Sequence, residues 1–235
     1  MYRPTINGDD DFFRDARRPV VESIGNALSY AITPALSDDA KTVERFACLR
    51  AFIDETEGAF SGTIALTYFT HINDEVAAAV EKIIRKSLQR NDAREVSYAA
   101  LAVNKWGELT NESNMPPSLE RLIARVIVII ESGRTTGLQQ LIWVAGELVE
   151  KQRLSQEQTE TLIAAIPNLF AAMDYASIEP KSQEAISAST IREACVKLAG
   201  TLATTHPDDR ALQDMLSAAK TDALPEVRFA VGPAS

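Results

Sequence analysis

The sequence predicts an all-α fold assembled largely from helix pairs, and three observations carry that expectation. Apolar residues recur at steps of three and four along most of the chain. Strand signals are scarce, and the Asn-Gly dipeptide at Asn7 and Gly8 lies in a polar N-terminal arm rather than between two alternating runs. A short pattern, glycine followed two residues later by leucine, closes three apolar helical stretches at Gly107 with Leu109, Gly146 with Leu148, and Gly200 with Leu202. The second interval between these glycines is longer than the first, as expected of repeats with an insertion between the second and third copies. A glycine late in a helix lets a neighbouring helix approach closely or begins the stop, so a packing reason is expected for the recurrence.

Taken in order, residues 1–18 read as a flexible acidic arm, with Asp9, Asp10 and Asp11 and no apolar segment of the kind a secretory leader needs. Residues 19–235 read as one helical domain. Before about residue 75 only helices are legible, among them one carrying Val43, Phe46, Ala47, Arg50 and Ile53. Next comes a basic stripe, Lys82, Arg85, Lys86, Arg90 and Arg94, whose spacing places most of its charges on one helical face. It reads first as a solvated face partly neutralised by Glu75 and Glu81, and second as a site for phosphate or an acidic partner. Pro116 and Pro117 suit the first turn of a helix with Leu119, Leu122, Ile123, Val126, Ile127 and Ile130. The run 126–130 has strand propensity, but it continues a helical stripe and ends at Gly133, so it is assigned to helix.

Between 136 and 154, Leu138, Leu141, Ile142, Ala145, Leu148 and Val149 form a one-sided stripe. Ser155 followed by Gln158 is a capping-box pattern opening a helix with Leu162, Ile163, Ile166, Leu169, Phe170 and Met173, in which Pro167 should kink the axis or mark a restart. The polar stretch 175–190 is expected to be a mobile loop, or to hold a short helix near 183–188. Trp106 and Trp143 both sit in apolar helical text and are expected in the core. Short polar links at 110–114 and 131–135 imply antiparallel packing of successive helices.

Composition excludes several functions. The formal net charge of -9 surrounds the chain with a negative field that disfavours nucleic acid and anionic lipid. Apolar runs such as 126–130 fall far short of the roughly 20 residues that span a bilayer. Cys48 and Cys195 lie in apolar helical text and read as small buried hydrophobes, so no disulfide framework is expected and a reduced, cytoplasmic setting is the simplest reading. His71 and His206 belong to no chelating spacing, and no Gly-rich phosphate loop or Gly-x-Ser-x-Gly elbow occurs. The clustered carboxylates Asp54, Glu55 and Glu57 lack the desolvation that tunes an acid/base pair. No catalytic residue, metal or cofactor is therefore expected.

Against this background, Pro167, Leu169, Met173 and Asp174, followed by Ile191, Arg192, Glu193 and Ala194 and then Leu198 to Leu202, resemble the HEAT repeats of α-solenoid proteins. A further copy runs through Leu212, Leu216, Asp222, Pro225, Val227, Arg228 and Ala230. The resemblance covers 158–231 with an insertion at 175–190, departs by one place at Ala194, and is weaker over 83–109, where Ser97 stands in place of the family's arginine. It implies a right-handed α-α superhelix in which Asp174, Arg192, Asp222 and Arg228 form a structural ladder between repeats. It also implies a non-catalytic scaffold whose concave face holds a protein partner. Nucleic acid, through the basic stripe with Tyr98 and Trp106 nearby, is the alternative. The last helix meets Gly232 and Pro233 after a turn or two. Its open edge is thus expected to be covered by another copy, a larger complex or further repeats of a longer solenoid.

Overall fold

The computed structural model describes residues 20, 23–24, 27, 44, 47–51, 66–67, 70, 74–110, 115–173 and 182–231, and among these the regular structure is helical, with no strand. The arm expected over 1–18, His71 and Asp174 lie outside the described residues. The chain divides into two compact units, Met1–Ile84 and Arg85–Ser235. In the first, Leu49 and Leu66 are fully buried and Cys48 is exposed, so the expectation of a buried thiol fails at Cys48. Helix α1, Asp74–Leu88, carries the division between the units.

The second unit continues with α2 (Ala93–Leu109), α3 (Pro117–Glu131), α4 (Leu138–Glu150), α5 (Gln156–Ala172), α6 (Gln183–Thr205), α7 (Arg210–Ala219) and α8 (Pro225–Ala230). Most of these helices start where the sequence supplies a side-chain acceptor for the free first-turn N–H groups. Asp92 accepts from the amides of Arg94 and Glu95 at the head of α2. Ser155 and Gln158 close a full capping box on α5, Ser182 accepts from Ala185 on α6, and Asp209 from Leu212 on α7. Pro117 opens α3 from a first-turn position that needs no N–H, as expected.

Helix α4 has no such acceptor. Its N-cap is Gly137, at a φ of 67°, where a β-carbon would come within 2.6 Å of Val96 Cγ1. Both the left-handed backbone and the contact with α2 require glycine there.

Burial follows the helical stripes. Within 126–130, Val126, Ile127, Ile129 and Ile130 are buried while Val128 is 47% exposed, a three-to-four period that a strand could not produce. Helix α5 runs through Pro167 to Ala172 as one element, so the proline marks no restart. Of the two expectations for 175–190, the helix near 183–188 is present, but it is the opening of a much longer element: the Ser182 cap starts α6 at Gln183 and carries it unbroken for 23 residues.

The packing order is regular. Helices α2, α4, α6 and α8 touch in succession, and so do α3, α5 and α7. Cross-contacts join α2 to α3, α3 to α4, α5 to α6, and α6 to α7. Each helix therefore packs on its close sequence neighbours, and the core lies between the two rows. Each large aliphatic side chain buried there stabilises the fold by about 1.5–3 kcal/mol before conformational entropy is counted. No helix among the described residues is long and apolar enough to cross a membrane.

Candidate functional site

Arginines tie the helix pairs together at their ends. Arg192, on α6, donates to the carboxylate of Asp222 in the α7–α8 link, with side-chain exposures of only 13% and 6%. The same guanidinium donates to the carbonyl of Phe170 at 2.6 Å, reaches that of Met173 at 3.4 Å, and stacks 3.9 Å above the Phe170 ring. It thus caps free C-terminal carbonyls of α5 while bridging to the next pair. Asp222 in turn accepts from the Leu224 amide at 2.9 Å, and Arg228 donates to the carbonyls of Asp222 and Ala223. Ser189 donates to Glu226, which holds that carboxyl below its usual range and fastens α8 to α6.

Two further arginines do similar work earlier in the chain. Arg134, in the α3–α4 link, donates to the carbonyl of Leu88 at the end of α1, and Arg153, after α4, donates to that of Thr110, the C-cap of α2. Burial, reinforced by the nearby charge of Arg125, lowers the Arg134 pKa. Sequence reasoning passed over both because neither sits in a helical stripe; the available signal was a lone arginine in each short polar link.

The basic stripe is split by the helix boundary. Lys82, Arg85 and Lys86 are exposed on α1, Arg90 lies in the turn that follows, and Arg94 is in the first turn of α2. Lys82 falls in the first unit and the other four in the second. Arg90 pairs with Glu95 at 3.0 Å, and Arg94 lies 6.0 Å from the Tyr98 ring centroid.

A groove of about 770 Å³ lies on the other face of α4 and α6, between the side chains of Trp143, Glu147 and Glu150 on one side and Glu193, Lys197 and Thr201 on the other. The α4 residues fall at helical spacings of four and three, so they form one line along the groove wall. Trp143 is 42% exposed here, whereas Trp106 is completely buried between helices. The shared expectation of a core position holds for Trp106 and fails for Trp143, because position 143, set between the buried pairs Leu141–Ile142 and Val144–Ala145, points to the opposite side of the helix with Glu147 and Glu150.

Gly146 and Gly200 also line the groove. A β-carbon at Gly146 would meet only Leu198 at 3.9 Å, and one at Gly200 would meet nothing within 4 Å. At Gly107 it would come within 3.3 Å of Leu148. Close helix packing therefore accounts for Gly107 and for neither of the other two, contrary to the packing reason expected for all three.

Glu147 is paired with Lys151 at 3.0 Å and Glu193 with Lys197 at 2.6 Å, each along its own helix. Glu150 receives the Thr201 hydroxyl from across the groove at 3.5 Å. Lys151 also reaches Glu108 and Asn104, and its charge, after the hydrogen bond from Lys105, holds the Glu108 carboxyl below its usual range.

The Cys195 thiol is buried behind this wall, and burial pushes its pKa up to about 12, so it remains protonated and inert at neutral pH. His206 caps the end of α6 and shares a hydrogen bond with the Thr205 hydroxyl. Among the described residues no cluster of three metal-ligating side chains occurs. No family model, curated protein or solved structure matches the chain.

Proposed function

We infer that this chain is a non-catalytic, protein-binding scaffold of the HEAT-like α-solenoid class, working in the cytoplasm. The groove along α4 and α6 carries the reading. Its wall presents a half-exposed tryptophan, a residue type enriched among binding hot spots, on rigid helices rather than loops. The succession of contacts within each helix row supports a solenoid, in which the second helices of successive pairs line one continuous face. The ties from Arg192 to Asp222 and from Arg228 to its own link support a structural rather than a chemical role for those residues. In this reading a protein partner occupies the α4–α6 face, and a second copy or a larger assembly covers the α8 edge, where Phe229 is 83% exposed.

The test is affinity purification of the tagged full chain from its native cytosol, with and without nuclease, beside a Trp143→Ala variant. A stoichiometric protein that survives nuclease and is lost from the variant is expected. Recovery of nucleic acid, or a partner lost on nuclease treatment, would overturn this reading in favour of the basic residues Lys82, Arg85, Lys86, Arg90 and Arg94.

A further inference from the structure

We propose that the α4–α6 groove takes a short cationic segment of a partner protein, with one arginine or lysine seated against Trp143 and a second paired with Glu150. The proposal rests on the protein-binding reading and specifies the partner's chemistry. Charge provides the first argument. The groove presents the carboxylates of Glu147, Glu150 and Glu193 with the ammonium of Lys197, and Lys151 beside it engages Glu147, so among the described residues one carboxylate is left uncompensated. Glu147 and Glu193 are engaged by lysines of their own helices, whereas the contact recorded for Glu150 is a 3.5 Å approach from a neutral hydroxyl. A carboxylate has about four acceptor positions, and such an approach neutralises none of its charge.

Tryptophan provides the second argument. An indole ring attracts a cation, Trp143 lines the groove and is 42% exposed, and Glu147 and Glu150 lie one and two turns further along the same helix face. A guanidinium on Trp143 therefore has carboxylates ahead of it along the groove rather than water alone.

Gly146 and Gly200 leave room in the lining. Glycine within a helix costs about 0.5–1 kcal/mol relative to alanine, and neither Gly146 nor Gly200 offsets that cost by admitting a neighbouring helix. A β-carbon at Gly200 would meet nothing within 4 Å, so a partner backbone can approach α6 closely there.

The experiment uses the full chain and three fluorescein-labelled eight-residue peptides, bearing four arginines, four glutamates or no charge, in about 150 mM salt, where screening beyond roughly 8 Å suppresses the general field of the protein. Anisotropy measures binding, and tryptophan emission reports occupancy at Trp143, since Trp106 is fully buried. The arginine peptide is expected to bind and to change the emission. Glu150→Lys and Gly200→Leu should each weaken it about tenfold or more. Glu120→Lys, which makes the same change in net charge on exposed α3 outside the groove, should leave it within about twofold.

Equal weakening by Glu120→Lys, or no response to Gly200→Leu, would overturn the proposal as field attraction alone. Preferential binding of the glutamate or neutral peptide, lost in Gly200→Leu, would sink the cationic chemistry and leave the protein-binding reading standing. If no peptide binds, the proposal fails, and the co-purification decides the broader reading by itself. Glu150→Lys changes a surface side chain, so it keeps the test decisive even if Gly200→Leu disturbs α6.

Discussion

Arg192 shows how much one side chain can join. It links a carboxylate in the next helix pair, two carbonyls at the end of the preceding helix and an aromatic ring. Replacing it by alanine leaves Asp222 nearly buried without its cation, a loss of about 3 kcal/mol, measurable as a lower urea midpoint. Arg192→Lys should recover only part of that, because an ammonium lacks the planar fork that serves several acceptors at once. Glycines at two positions should respond with opposite signs. Gly137→Ala forces a side chain into a φ of 67° and against Val96, and should destabilise by about 1–3 kcal/mol. Gly200→Ala has open space and a helical backbone, and should stabilise by about 0.5–1 kcal/mol in the same urea titration. The two thiols separate as well. A colorimetric disulfide reagent at pH 8 should modify exposed Cys48 promptly and buried Cys195, with its pKa near 12, only after denaturation. Prompt reaction of both would show that α6 opens far more readily than its packing implies.

At the scale of the element, the helix starts are the most local part of the fold and the easiest to read from sequence. The capping box of Ser155 and Gln158 was legible because both of its bonds lie within four residues. Ser155→Ala should cost about 1 kcal/mol, read from the thermal midpoint, with helix content at low temperature unchanged. The start of α6 was harder, since Ser182 lies in polar text and the apolar stripe that identifies a helix begins several residues later. The one-sided stripes of α3, α4 and α5 named most of the buried residues, because a 3.6-residue period determines a face. Trp143 was assigned to the core by its size and apolar neighbours, against that same logic: a step of 100° per residue points position 143 away from Leu138, Leu141, Ala145 and Leu148 and toward the side of Glu147 and Glu150. The groove itself was illegible for a different reason: Glu150 and Thr201 meet across 51 residues, and no local pattern encodes that distance.

Within the second unit, energy is distributed between neighbours rather than gathered in one centre. Each helix of the second unit packs on elements close to it in sequence, so a defect should stay where it is made. Hydrogen exchange on Arg192→Ala should show lost protection in α7 and α8 and in the adjoining part of α6, with α2 and α3 almost unchanged. Uniform loss across α2 to α8 would instead mark the unit as one cooperative block. The arginine clamps carry a further consequence. Arg134 closes on Leu88 over 46 residues and Arg153 on Thr110 over 43. Each clamp can therefore form soon after its arginine leaves the ribosome, since its acceptor was made a few tens of residues earlier and no later segment is required. The earlier part of the second unit is thus suited to being laid down pair by pair during synthesis, with Arg134 and Arg153 each closing on residues made before them while the remainder of the chain is still being translated.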